Sequence, residues 1–133
     1  LYAFASYMQR KIASSKDPFY YDIDTIRVFI AGLNMSPISI LQGISGTGKT
    51  SLPREFAKAI ISEAVEYSGQ GSDNTPNAPY RICAVQSGWR DSMDLMGYYN
   101  SFEHKYKETD FFKALYLANL PKYKDTLFFI ILD

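Results

Sequence analysis

The chain has 133 residues, 47% hydrophobic and 16% aromatic, which is ample for one packed domain and too short for two of ordinary size. Lys plus Arg and Asp plus Glu both number 14, so no overall field draws the chain to nucleic acid or an anionic membrane; such a partner has to meet a local patch or another part of a larger protein. A single cysteine, Cys83, excludes a disulfide framework and fits a reducing, cytoplasmic location, and the apolar runs fall short of the roughly 20 residues a membrane helix needs.

Leu1, Phe4, Ala5, Met8 and Ile12 recur at helical spacing and predict an amphipathic helix ending in Ser14-Ser15-Lys16-Asp17-Pro18. Residues 1–18 are therefore expected as an N-terminal helix and linker, ahead of a core over 19–133. Phe19-Tyr20-Tyr21 follows as an aromatic cluster, either a core anchor or, in Tyr20 or Tyr21, a ring that stacks on a nucleotide base. Asp22 is placed to cap a helix carrying Ile23, Ile26, Ile30 and Leu33 on one face, with Gly32 and Asn34 near its end and Pro37 beyond.

Pro37 to Gln42 is a short apolar run with the composition of a buried parallel strand. Directly after it, Gly43-Ile44-Ser45-Gly46-Thr47-Gly48-Lys49-Thr50 fits the phosphate-loop pattern G-x-x-x-x-G-K-[ST] without a mismatch. Gly43, Gly46 and Gly48 allow positive φ and close approach of the backbone, so that the N–H groups of residues 44 to 50 and the helix start at Ser51 can face an anion. Lys49 supplies a point charge to the β- and γ-phosphates, and the Thr50 hydroxyl is placed to ligate Mg²⁺.

Leu52, Phe56, Ile60, Ala64 and Tyr67 then form the apolar stripe of a long helix, with Arg54, Glu55, Lys58, Glu63 and Glu66 expected mostly in solvent. Pro53 is expected to bend this helix or make its start irregular. Ser68 to Pro79 is nearly devoid of apolar residues and rich in turn formers, so it reads as a surface loop. Tyr80 to Val85 returns as a strand, expected parallel to the run at Pro37 through a right-handed crossover.

Gln86 to Asn100 has no clean period. Either Trp89, Leu95, Met96 and Tyr98 anchor a connector in which Asp91 or Asp94 caps a short helix, or the segment touches a ring neighbour or a threaded polymer. Phe102 to Glu108 is charged and aromatic, and its His104, the only histidine, has no second ligand or nucleophile at useful spacing. Thr109 or Asp110 can cap a helix bearing Phe111, Phe112, Leu115, Tyr116 and Ala118, ended by Asn119 and Pro121. Thr126 to Asp133 is a β-rich run ending in one carboxylate. It is either an ordinary core strand or, beside a complete phosphate loop, a Walker B strand whose Asp133 steadies the magnesium from outside its first coordination layer.

With these parts in place the chain resembles the AAA+ family of P-loop NTPases, specifically its McrB-like and dynein-related branch. The narrower likeness rests on Val85-Gln86-x-x-Trp89 leading to Asp94-Leu95-x-Gly97-Tyr98. The resemblance implies a three-layer αβα fold around a parallel sheet, a site for ATP or GTP with Mg²⁺ built on Gly43 to Ser51 and Asp133, and Lys49 and Asp133 as its catalytic residues. It also implies assembly into a ring, often a hexamer, that couples hydrolysis to remodelling or translocation. McrB-like members use GTP and power a nuclease partner on modified DNA; most relatives use ATP.

Ile44-Ser45 stands where many relatives have Pro-Pro. In that family a Glu after the Walker B Asp polarises the attacking water, and the strand after Walker B lies between the Walker A and Walker B strands. The chain is accordingly expected to be the N-terminal half of a larger core, able to hold NTP-Mg²⁺ but short of parts that hydrolysis needs. A nucleotide-gated module that does not hydrolyse is the competing expectation, and a small-molecule P-loop kinase ranks last.

Overall fold

The computed structural model of the chain describes residues 1–15, 18–44, 46–61 and 79–133, with the backbone alone for 62–68. It comprises two units, Leu1–Gly71 and Ser72–Asp133, and the class is α/β with a small parallel sheet. None of its helices is long and apolar enough to cross a membrane, among the described residues.

The first unit is helical: α1 (Tyr2–Ala13), α2 (Ile23–Met35) and α3 (Ser51–Ser68), with α1 packed on both others. Ala5, Met8 and Ile12 recur at three- and four-residue steps and are buried with Ile26, Phe29 and Ile30 of α2 and Leu52, Phe56, Ala57 and Ala59 of α3. The Phe29 and Phe56 rings meet edge to face at 5.1 Å. Leu1 and Phe4, expected on the same stripe, are exposed at 66% and 43%. Asp22 caps α2 as its position predicts, accepting from the Asp24 N–H at 3.0 Å.

Two expectations for this unit change. Pro37 to Gln42 joins no strand ladder, and Ile38 and Ile40 are exposed at 77% and 90%. A β-rich run becomes a strand only when a partner satisfies its N–H and C=O groups, and the described residues of this unit offer only helices and loops. The predicted crossover from this run to the strand at Tyr80 is therefore not formed. Pro53 is the third residue of α3, which runs on past it to Ser68; the Leu52 N–H before it already donates to Gly48 O, and the next bond of that series is the one proline cannot make. The expected positions Ser45, Ala64 and Tyr67 and the loop over 69–78 lie outside the described residues or side chains.

In the second unit β1 (Tyr80–Cys83) pairs in parallel with β4 (Phe129–Leu132), Tyr80 opposite Phe129 and Cys83 opposite Leu132. The ladder continues past both ends, the Phe129 N–H donating to Pro79 O at 2.9 Å and the Asp133 N–H to Cys83 O at 3.0 Å. Between the strands come α4 (Ser92–Met96), β2 (Gly97–Asn100), β3 (Lys105–Glu108), α5 (Asp110–Ala118) and a 3-10 turn (Pro121–Tyr123). The helix α5 packs on β1 and β4, burying Ala114, Cys83 and Ile131. Burial pushes the Cys83 thiol above its ordinary value and the Asp110 carboxylate adds to that, while Arg81 pulls it back.

Asp91, not Asp94, is the cap of α4, and the two close a capping box: Asp91 Oδ1 accepts from Met93 and Asp94 N–H, and Asp94 Oδ2 accepts from Asp91 N–H. From there β2 and β3 form an antiparallel hairpin that the sequence did not announce. Its turn is held by Asn100 Oδ1, which accepts from the Phe102 and Glu103 N–H groups, and His104 closes it at φ 51°. Thr109 caps α5 through the Phe112 N–H and also donates to the Leu95 carbonyl, tying the end of the hairpin to α4.

Candidate functional site

The glycine loop runs from Gly43 into α3, and its backbone explains its composition. Gly46 and Gly48 hold φ of +82° and +85°, the left-handed region in which a Cβ crowds the following carbonyl. Gly43 differs: its φ is not positive, but a Cβ there would stand 3.0 Å from Thr47 Oγ1, so the threonine side chain would have to give by a few tenths of an ångström. Beyond the bend the helix begins with the Leu52 N–H donating to Gly48 O at 2.8 Å.

The Ile44 carbonyl is the loop's internal acceptor. It receives the Thr47 N–H at 3.4 Å, the Thr47 hydroxyl at 2.8 Å and the Lys49 ammonium at 2.5 Å. Among the described residues Lys49 makes no ion pair. Its charge is thus held against the loop by a neutral carbonyl, a contact that a phosphate oxygen can replace with a stronger charge-to-charge one. Two left-handed glycines, a helix N-terminus and a lysine over the bend together fit a polyphosphate.

An open cleft of about 710 Å³ adjoins the loop, walled by Thr25 and Phe29 of α2, the run from Ile38 to Gln42, and Thr47 to Lys49. That volume lies in the range of small-molecule sites. The two aromatic candidates for this region separate. Tyr20 is 85% exposed, whereas the Tyr21 ring stacks on Phe19 at 6.2 Å and lies against Gly48, where an added Cβ would meet its Cε1 at 3.0 Å and its hydroxyl at 3.4 Å. Tyr21 thus packs against the loop and also lines the cleft.

The Tyr21 hydroxyl is buried with no hydrogen-bond partner. The Ser51 side chain is near enough to pull the phenol's pKa down, yet no hydrogen bond of acceptable geometry joins them. Burial outweighs it and raises the phenol above its ordinary value, Glu55 adding to the rise and Arg54 opposing it. A buried hydroxyl left unpaired costs on the order of 1–3 kcal/mol. No sequence signal marks this atom.

Glu55, expected in solvent, is 4% exposed, and its Oε1 accepts from Arg54 Nε and Lys58 Nζ, both at 3.1 Å. The signal was present, since Glu55 falls three residues after Leu52 on the buried side of α3.

The structure therefore brings together Gly43, Ile44, Gly46, Thr47, Gly48, Lys49, Thr50 and Ser51 in one loop and helix start; Ser45 lies outside the described residues. Asp133 belongs to the second unit, exposed at the C-terminal end of β4, with its carbonyl accepting from the Val85 N–H at 2.5 Å. In parallel sheets this strand end is where ligands are bound. No group of three or more His, Cys, Asp or Glu side chains among the described residues could hold a metal by itself.

Comparison with family models, with curated proteins and with solved structures returns no match to this chain.

Proposed function

We propose that the chain binds a nucleoside triphosphate, ATP or GTP, in the loop from Gly43 to Ser51 and forms part of an AAA+ motor core that hydrolyses it, on a three-layer αβα fold. The observation that carries this is local: an unbroken phosphate-loop sequence whose Gly46 and Gly48 stand at positive φ, with Lys49 folded over the bend and α3 starting directly behind it. The parallel β1–β4 pair that delivers Asp133 to a strand end supports the same assignment.

In this mechanism the loop N–H groups and the start of α3 donate to phosphate oxygens. Lys49 leaves the Ile44 carbonyl for the β/γ oxygens, and Ile44 O keeps its Thr47 donors. Thr50 is the loop residue that would hold Mg²⁺, which when bound offsets phosphate charge, and Asp133 is the carboxylate that the AAA+ resemblance assigns to the same role. Hydrolysis also requires a group that orients water, which the AAA+ resemblance assigns to a Glu after the aspartate. Ring assembly and a DNA-directed nuclease partner are proposed on the same resemblance.

Lys49→Ala removes a charge-assisted contact and is expected to weaken Mg-ATP and Mg-GTP by about 10- to 150-fold in a titration with labelled nucleotide. Equal affinity in the two proteins overturns the assignment.

A further inference from the structure

Resting on the nucleotide assignment above, we propose that Tyr21 is a phosphate-positioning residue: its hydroxyl donates to a phosphate oxygen once a polyphosphate occupies the glycine loop. Tyr21 Oη is the one buried side-chain polar atom without a partner among the described residues. A phenylalanine would fill the same space without that penalty, so packing alone gives the hydroxyl no use. Its location supplies one. The oxygen stands 3.4 Å from the point a Cβ would occupy on Gly48, the last glycine of the loop, and beside Ser51 where α3 begins.

The ring is fixed from several sides. Gln9 Nε2 of α1 donates to the Tyr21 carbonyl at 2.8 Å, Phe19 stacks on the ring, and the next residue, Asp22, is locked as the cap of α2. Nearby acceptors do not satisfy it: the Glu55 carboxylate already receives Arg54 and Lys58, and the Ser51 side chain, close as it is, forms no hydrogen bond of acceptable geometry with the phenol. A donor held this rigidly against the loop lacks only an acceptor, and an oxygen of the bound phosphate chain is an acceptor of the right charge. Gly48, without a Cβ and already at positive φ, is the point at which the backbone can shift to let the two meet.

The test titrates Mg-ATP, Mg-GTP and Mg-tripolyphosphate into the parent chain and Tyr21→Phe. Because the lost contact is to phosphate, all the ligands that the parent binds should weaken by the same factor, about 10- to 150-fold, while the ligand-free Tm does not fall. Unchanged affinities in a parent that binds overturn the proposal and leave the nucleotide site standing. A loss confined to the nucleotides, with tripolyphosphate unaffected, also overturns it and makes the ring a base contact. If the parent binds none of them, both proposals fall together.

Should Tyr21→Phe not fold, 3-fluorotyrosine at position 21 decides. Its more acidic phenol should move the alkaline loss of tripolyphosphate affinity to lower pH, since a phenolate repels phosphate; an unshifted profile overturns the proposal.

Discussion

At the scale of single residues the glycines of the loop divide by what surrounds them. Nothing lies within 4 Å of a Cβ built on Gly46, so Gly46→Ala meets only the left-handed φ and should cost about 1–2 kcal/mol in a urea unfolding curve. On Gly48 the same methyl also meets the Tyr21 ring at 3.0 Å. Its cost should therefore be greater, about 2–4 kcal/mol, with loss of nucleotide binding as the ring displaces the bend. Equal penalties at the two positions would mean that the Tyr21 contact is slack. Glu55 illustrates the opposite economy: its partners Arg54 and Lys58 are more than a third exposed and keep water when the carboxylate is removed. Glu55→Leu should accordingly shift stability by no more than about 1 kcal/mol in either direction, far from the loss seen when a charge is stranded in a core.

Among the elements, the hairpin is the most sharply specified by one position. Gly97 has φ +98°, and a Cβ there would fall 2.2 Å from the Lys107 backbone oxygen, a clash no rotamer relieves. Gly97→Ala should break the β2–β3 pairing, read as loss of amide protection at Tyr98 to Asn100 and Lys105 to Glu108, with β1 and β4 retained. Protection kept in β2 and β3 would contradict this. Elements that carry their own punctuation were legible in the sequence: Asp22 opens α2, Thr109 and Asn119 bound α5, and the β-rich run at Phe129 gives β4. The hairpin was not, because Tyr98, Tyr99 and Tyr106 are all half exposed and no single buried face forces an alternation on the strands. Pro37 to Gln42 failed for the converse reason. Its side chains announce a strand, but a strand also requires a neighbour, and composition does not say where that neighbour is. The positive φ of Gly46 and Gly48 falls on glycines that the sequence already marks, whereas the buried Tyr21 hydroxyl is a product of packing that spacing does not encode.

For the whole molecule, the raised phenol of Tyr21 and raised thiol of Cys83 set a direction for pH. Both are held protonated in the folded chain, so each contributes stability that is complete below its ordinary value, near 10.0 and 9.0, and lost as pH climbs through the folded one. Tm should stay level up to about pH 9 from these groups and decline above it; the decline should be smaller in Tyr21→Phe. A profile that falls equally in both proteins would show that the phenol is not linked to folding. On the proposed assignment nucleotide acts in the other sense: ligand at a hundred times its Kd would add about 2.7 kcal/mol to the folded state, and Tm should rise by several degrees. The most direct test of the account follows backbone amides by NMR while Mg-ATP and Mg-GTP are added. The predicted result is a saturable shift centred on Gly46, Gly48, Lys49 and Thr50 with the hairpin amides unmoved; saturable binding that leaves those four amides in place, or no binding of either nucleotide, contradicts it.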